Sequence, residues 1–494
     1  MSNETSPGQG ATASSAGVKG NDPKTGESHE LKRVMGPGLL LLFIVGDILG
    51  TGVYALTGNI AGEIGGAAWA PILIAFAVAT ITAFSYLELV TKYPGASGAA
   101  LYTHKAFGIH FITFLVTFAV LCSGLTSAAT ASSAVASNFA KGFHLELSPF
   151  GISVVAIVFL GILALINLRG VSESVKLNVV LTCIELTGLL IVILVGFWAA
   201  SQGNADFSQT VVFETSEDKS IFMALTAVTS LAFFSFVGFE DSVNMVEETK
   251  DPTRNFPRVM LLGLSITLVV YVLVSIFTVA IVPIGQLGES TTPLLDVVRI
   301  GAPGIPIDSI YPFLTIIAVA NTALINMLMA SRLLYGMARQ GVIPGILGKV
   351  LPERRTPWTS IIFTTVLGMA LILIVNNFMG KGTASALGGT TALLLLAVFT
   401  VVNIAAIILR RDKSQEDHAY FHAPKVLPYL GTITCAYLLG PWAQDPIEYQ
   451  IAVILIGLGV LLWLLNFLYD RLFTGRRTRF HHPEDLAHLE DTDR

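Results

Sequence analysis

Residues 43–54 read Phe43-Ile44-Val45-Gly46-Asp47-Ile48-Leu49-Gly50-Thr51-Gly52-Val53-Tyr54. The run is apolar enough to lie in a membrane, yet it holds three glycines and an aspartate. Each glycine weakens a helix by about 1 kcal/mol relative to alanine. A carboxylate at the centre of a bilayer costs roughly 3 kcal/mol more. A second stretch repeats the pattern: Phe233-Phe234-Ser235-Phe236-Val237-Gly238-Phe239-Glu240-Asp241. Close helix packing through small residues accounts for the glycines but not for the acids. A pair of unwound helices accounts for both. Freed N–H groups at the start of a half-helix bind a carboxylate, and freed carbonyls bind an ammonium. Such a site suits a zwitterion, an amino acid or a close relative.

Around both stretches the chain is long and uncharged. Residues 111–140, 259–288, 382–409 and 449–469 contain no Asp, Glu, Lys or Arg. A helix crosses a hydrocarbon core of about 30 Å with about 20 apolar residues. Barrel strands would be about 10 residues long with alternating polarity, so the lengths fit helices. Twelve transmembrane helices are predicted, at 37–61, 67–91, 109–138, 149–168, 177–200, 221–249, 258–283, 307–338, 358–377, 384–409, 424–441 and 449–470. The fold class is an all-α multi-pass membrane protein. Composition agrees: 53% of residues are hydrophobic and 13% charged, against about 25% charged in soluble domains. A soluble enzyme is excluded.

Charge sets the orientation. With both termini cytoplasmic, all 29 Lys and Arg lie in inside segments except Lys141, Lys219, Arg299 and Lys381. Bias of that kind orients membrane proteins, and the expected location is a plasma membrane. Trp69, Trp198, Trp358 and Trp442 fall at span ends, as interfacial tryptophans do. Residues 1–32, rich in Ser, Gly, Asn and Thr, read as a disordered cytoplasmic tail. No charged segment followed by a short apolar one opens the chain, so no cleaved signal peptide is expected. Residues 471–494 read as a second cytoplasmic tail. Cys122, Cys183 and Cys435 lie inside spans without disulfide or metal spacing and read as small packing residues. The nine histidines fall in loops, tails or span ends, where none reaches a haem or metal at the midplane. No glycine-rich phosphate loop with its lysine occurs. A membrane-embedded enzyme and an ATP-driven pump are therefore both set aside. No cofactor and no nucleic-acid partner is expected, and the sequence says nothing of oligomeric state.

Several motifs in order resemble the amino acid–polyamine–organocation permease superfamily along most of the chain. Gly50-Thr51-Gly52-Val53-Tyr54 resembles its first-span signature. Tyr86-Leu87-Glu88-Leu89 through Tyr93-Pro94 and Tyr102 resembles its second-to-third-span motif. Phe236-Val237-Gly238-Phe239-Glu240, followed by Glu247, Glu248, Asp251-Pro252, Arg254 and Pro257, resembles its sixth-span motif. Ser331-Arg332 and Met337-Ala338-Arg339 resemble the end of its eighth span. The resemblance implies a five-plus-five inverted repeat with broken helices 1 and 6, residues 33–200 and 201–410. Two extra helices (411–470) and alternating access complete that picture. It puts the substrate carboxylate on the N–H groups of Thr51 and Gly52, and the amine on carbonyls near Ile48 and at Phe234 and Val237. Gly50 and Gly238, at the breaks, are substrate-binding residues with them, and Phe234 or Phe236 is the aromatic gate.

Three acids lie at similar depth. Asp47, Glu185 and Glu240 each sit 9 or 10 residues from a cytoplasmic span end, about 13–15 Å at 1.5 Å per residue. Together with Asp241 they form the expected ion-coupling set, since a carboxylate held out of water binds a proton more tightly. Glu185 stands where proton-coupled relatives carry a lysine, so that mechanism does not transfer directly. Asp47 and Asp241 depart from the small or apolar residues common in the family. The plain alternative for each acid is a hydrogen bond to a neighbouring helix. Glu88 reads as the anchor of a cytoplasmic helix end, with Glu247 and Glu248 pairing to Arg254 or Arg332. The resulting expectation is a secondary transporter of amino acids, proton-coupled or exchanging, and the extra acids favour a cationic substrate. A polyamine carrier of the same fold and a transporter-like nutrient sensor are the alternatives.

Overall fold

The computed structural model describes residues 35–94, 98–169, 174–214, 220–304, 306, 309–339, 342–351, 354, 356–378, 383–412, 419–469 and 471–472. Among them the helices are α1 (Pro37–Ile64), α2 (Trp69–Lys92), α3 (Gly98–Phe107), α4 (His110–Gly142), α5 (Pro149–Arg169), α6 (Ser174–Ser201), α7 (Ile221–Phe233) and α8 (Pro252–Ile281). They continue with α9 (Ile284–Glu289), α10 (Pro293–Gly301), α11 (Tyr311–Arg339), α12 (Trp358–Phe378), α13 (Thr383–Leu409), α14 (Leu427–Leu438) and α15 (Pro446–Tyr469). No strand occurs among the described residues, only isolated bridges such as Met35 to Thr249.

Eleven helices among the described residues are long and apolar enough to cross a membrane, counting α7 with its tightly wound continuation to Val246. The chain is thus a multi-pass membrane protein. The remaining expected span, 424–441, holds α14, which has 12 residues. At 1.5 Å per residue that is about 18 Å, short of a core of about 30 Å. Its end is fixed by Gln444, whose Nε2 donates to Leu438 O at 2.8 Å.

Lipid and protein interior are equally apolar, so small and polar residues decide which helix sides touch. α1 is the hub: 83% of its central window is buried, against 28% for α5 and α15. It packs on α4, α6, α7, α8, α11 and α13. α4 offers Ser, Thr and Ala to α11, and Thr126 and Thr391 share a hydrogen bond of 2.6 Å that joins α4 to α13. Cys122 and Cys435 are buried in packing, whereas Cys183 is exposed on the outer side of α6. The packing role expected of Cys183 is thereby corrected: its position on α6 faces away from the neighbouring helices.

Polar contacts close both ends of the bundle. At one end Glu88 holds Arg410, with Nε and Nη2 donating at 2.7 and 2.5 Å, and accepts Ala423 N at 3.1 Å. Lys92 Nζ donates to the carbonyls of Leu409 and Asp412. Glu88 anchors a helix end as expected, and its carboxylate holds the Arg410 guanidinium above its usual range. At the opposite end, Trp69 donates to Thr210 O at 2.9 Å and Asp206 N to Ala280 O at 2.7 Å. Hydrogen bonds from the Ser208 hydroxyl, the Gln209 amide and the Ser208 N–H hold the Asp206 carboxyl below its usual range.

Candidate functional site

Both predicted breaks occur. In α1 the backbone leaves helical geometry at Gly50, with φ −12° and ψ −145°. A new half-helix then begins at Thr51, with its N–H groups and positive dipole end at the break. α7 stops at Phe233, Phe234–Phe236 form a tight turn, and Val237 is extended. Gly238 has φ +121°, a conformation open to glycine. A Cβ there would also stand 2.7 Å from the carbonyl oxygen of Asp47. The break is held by Val237 N donating to Phe234 O at 3.2 Å and Gly238 N to Glu240 Oε2 at 2.9 Å.

The two breaks face each other. A Cβ on Gly52 would lie 2.6 Å from Ser235 Cα, and one on Gly50 would strike the Thr322 hydroxyl. They enclose a small cavity of about 10 Å³, about the lower limit for one water. Its walls include all seven expected binding residues, Ile48, Gly50, Thr51, Gly52, Phe234, Val237 and Gly238, together with Asp47 and Asp241. A second cavity of similar size, lined by Glu240, lies beside it; Val237, Asp241 and Asn326 are common to both.

Not every expected residue reaches the cavity. Phe236 is fully buried, its ring 5.8 Å from Phe76 and 5.5 Å from Tyr271, and it does not line the wall. Glu185 lines neither cavity; it is fully buried on α6, and Tyr54 Oη donates to its backbone carbonyl at 3.0 Å. The side chains of Glu247 and Glu248 lie outside the described residues.

Sequence reasoning missed four contributors. Ser127 from α4 and Thr322 and Asn326 from α11 complete the wall. Tyr271 on α8 donates to Ile48 O at 2.7 Å and Leu49 O at 2.9 Å, capping carbonyls that the break in α1 frees. Carbonyl oxygens have two lone pairs, so Ile48 retains acceptor capacity. The available signal was polarity alone: Asn321, Thr322 and Asn326 interrupt an otherwise apolar span.

The wall carries two carboxylates, hydroxyls from Thr51, Ser127 and Thr322, the Asn326 amide and no Lys, Arg or His. The Thr51 and Thr322 hydroxyls and Asp47 Oδ2 have no hydrogen-bond partner within the protein. Such a wall supplies anionic oxygens for a cation and a half-helix start for an anion.

Comparison with known proteins gives the family of the chain. A methylthioribose transporter of Bacillus subtilis (strain 168) is 26% identical over 470 residues, 90% of this chain and 95% of the relative. A branched-chain amino acid permease of the same organism is 24% identical over 90% of this chain and 95% of its own length. A chloroplastic cationic amino acid transporter of Arabidopsis thaliana is 27% identical over 63% of this chain and 56% of the relative. The amino acid permease family model matches residues 39–465, a range that takes in both broken helices, and the chain belongs to that family.

Proposed function

We propose that this protein is a secondary transporter that moves amino acids with a cationic side chain across a plasma membrane by alternating access. The observation that carries the reading is the cavity wall, where Asp47 and Asp241 stand without a basic partner. In this reading the N–H groups of Thr51 and Gly52 take the substrate carboxylate at the half-helix dipole. Its amine meets the carbonyls of Ile48, Phe234 and Val237, and Asp241 faces the side-chain cation. Phe234, on the wall, is the gate, while Phe236 supports it from behind against Tyr271. The names of the relatives, two of them amino acid carriers, support the substrate class.

The breaks fall in the first and sixth crossing segments, which supports a five-plus-five inverted repeat with two further crossings, the short α14 among them. The Lys and Arg distribution supports cytoplasmic tails. Of the four acids expected to couple ions, Asp47, Glu185 and Glu240 keep that role in this reading, with Glu185 the proton carrier, and Asp241 serves substrate recognition. A neutral sugar is the second reading, favoured by the methylthioribose transporter, which matches over 95% of its length.

Thermal stability of the purified protein tests the substrate. A ligand at 100 times its Kd adds about 2.7 kcal/mol to the folded state. Arginine and lysine are expected to raise the melting temperature, with leucine, methylthioribose and spermidine as comparators. Stabilisation by methylthioribose alone would replace the amino acid reading, and stabilisation by spermidine alone would make it a polyamine carrier.

A further inference from the structure

Behind the cavity runs a second line of polar side chains. On α6, Asn178, Thr182 and Glu185 follow one another at helical spacing, so they share one face over about 10 Å of its length. All three are buried. The Thr182 hydroxyl occupies the space a Cβ on Gly46 would need, one residue from Asp47. Asn178 Nδ2 donates to Asn321 Oδ1 on α11 at 3.4 Å.

Apart from that long bond, the line is unpartnered within the protein. Asn178 Oδ1, Thr182 Oγ1, both carboxylate oxygens of Glu185 and Asn321 Nδ2 make no hydrogen bond. Buried polar groups are ordinarily paired. Many hydroxyls of this bundle pair with the carbonyl one turn back, as Thr117, Thr130 and Ser132 do on α4 and Thr187 does on α6 itself, although Ser133, Ser275 and Thr278, among others, do not. Thr182 has the same option and does not take it. Its hydroxyl is oriented into the α1–α6–α11 seam.

The seam begins one turn into α6, near a membrane face, and ends at Glu185, from which Asp47 continues it to the cavity wall. The titratable groups facing Glu185 are Asp47 and Tyr54 on α1 and Tyr271 on α8. α11 presents neutral Asn321 and Thr322. On α10, Gly301 meets α6 at Val195, about 15 Å further along the helix.

We infer that this seam is the proton path of the carrier: Asn178 and Thr182 hold a hydrogen-bonded chain of waters that delivers a proton to Glu185, which hands it on to Asp47. One proton enters at the start of α6 and one reaches the substrate cavity for each passage, with no other change in charge. The inference rests on the transport reading and adds the route by which its ion travels.

Full-length protein in liposomes, with a trapped pH dye and labelled arginine and leucine, provides the test. T182V keeps the shape of the side chain and removes the hydroxyl. T182V and N178L are expected to lower gradient-driven accumulation and substrate-linked proton flux at least tenfold. Counterflow, which needs no net proton movement, should stay within twofold, and T182S should restore both losses. Wild-type proton flux in T182V, or a parallel fall of flux and counterflow, overturns the path. Accumulation by the unaltered protein that follows sodium and ignores pH also overturns it while leaving the transport reading intact. Absence of counterflow for every amino acid tried with the unaltered protein removes the transport reading and the path with it. Where T182V fails to assemble, T182C in a background lacking Cys122, Cys183 and Cys435 replaces it. Labelling by a charged thiosulfonate supports a watered seam, and complete resistance overturns it.

Discussion

Gly52 and Ser235 meet where the two broken helices cross: a Cβ on Gly52 would lie 2.6 Å from the Ser235 Cα. Because the obstacle is backbone, no side-chain rotation relieves it. G52A must therefore push the half-helices apart, at the cost of about 1–3 kcal/mol typical of overpacking. The expected result is a lower melting temperature and loss of uptake. Wild-type uptake by G52A would show that the breaks separate freely.

Tyr271 ties α8 to the carbonyls of Ile48 and Leu49. Y271F removes only the hydroxyl and leaves two buried acceptors without their donor, a loss of about 1–3 kcal/mol. Its melting temperature should drop and its KM for substrate rise. A KM equal to the parent's would mean that the cap plays no part in holding the α1 break.

The acids of the wall separate substrate classes. D241N keeps the size of the side chain and removes its charge. Arginine uptake is expected to fall at least tenfold, while leucine uptake changes by less than threefold. Equal losses for both would place Asp241 in folding or ion coupling instead of side-chain recognition.

Glu88 and Arg410 form a bidentate pair that fastens α2 to α13. Removing one partner of a fully buried pair costs roughly 3–5 kcal/mol. Arg410 is partly exposed, so E88Q should cost about 2 kcal/mol. Unfolding of E88Q, R410Q and the double variant checks this. The double variant should lose clearly less than the sum of the singles.

The parts of this molecule that could be read in advance are those whose cause is local. Glycines beside carboxylates in an apolar run leave few structural choices, so the breaks at Gly50 and Gly238 were foreseeable. Tyr271 was not: its role depends on α8 crossing α1, and a lone tyrosine in an apolar helix carries no mark of the carbonyl it meets. Phe236 shows the same limit, because its neighbour Phe234 has an identical side chain and only the turn between them decides which ring faces the cavity. The stretch at 424–441 has the hydropathy of a crossing helix, but Gln444 and the turn through Gly440 end α14 early.

That short helix has a further consequence. On its side of the bundle the helical section is shorter than ordinary bilayer hydrocarbon, and the remaining turns find their hydrogen bonds in the protein, as at Gln444 and Leu438. Such a mismatch is met by local thinning of the lipid. Acyl-chain length in the surrounding membrane thus becomes a physical variable for this carrier, acting on α14 and, through Cys435 and Thr82, on the helix α2 that packs beside the α7 break.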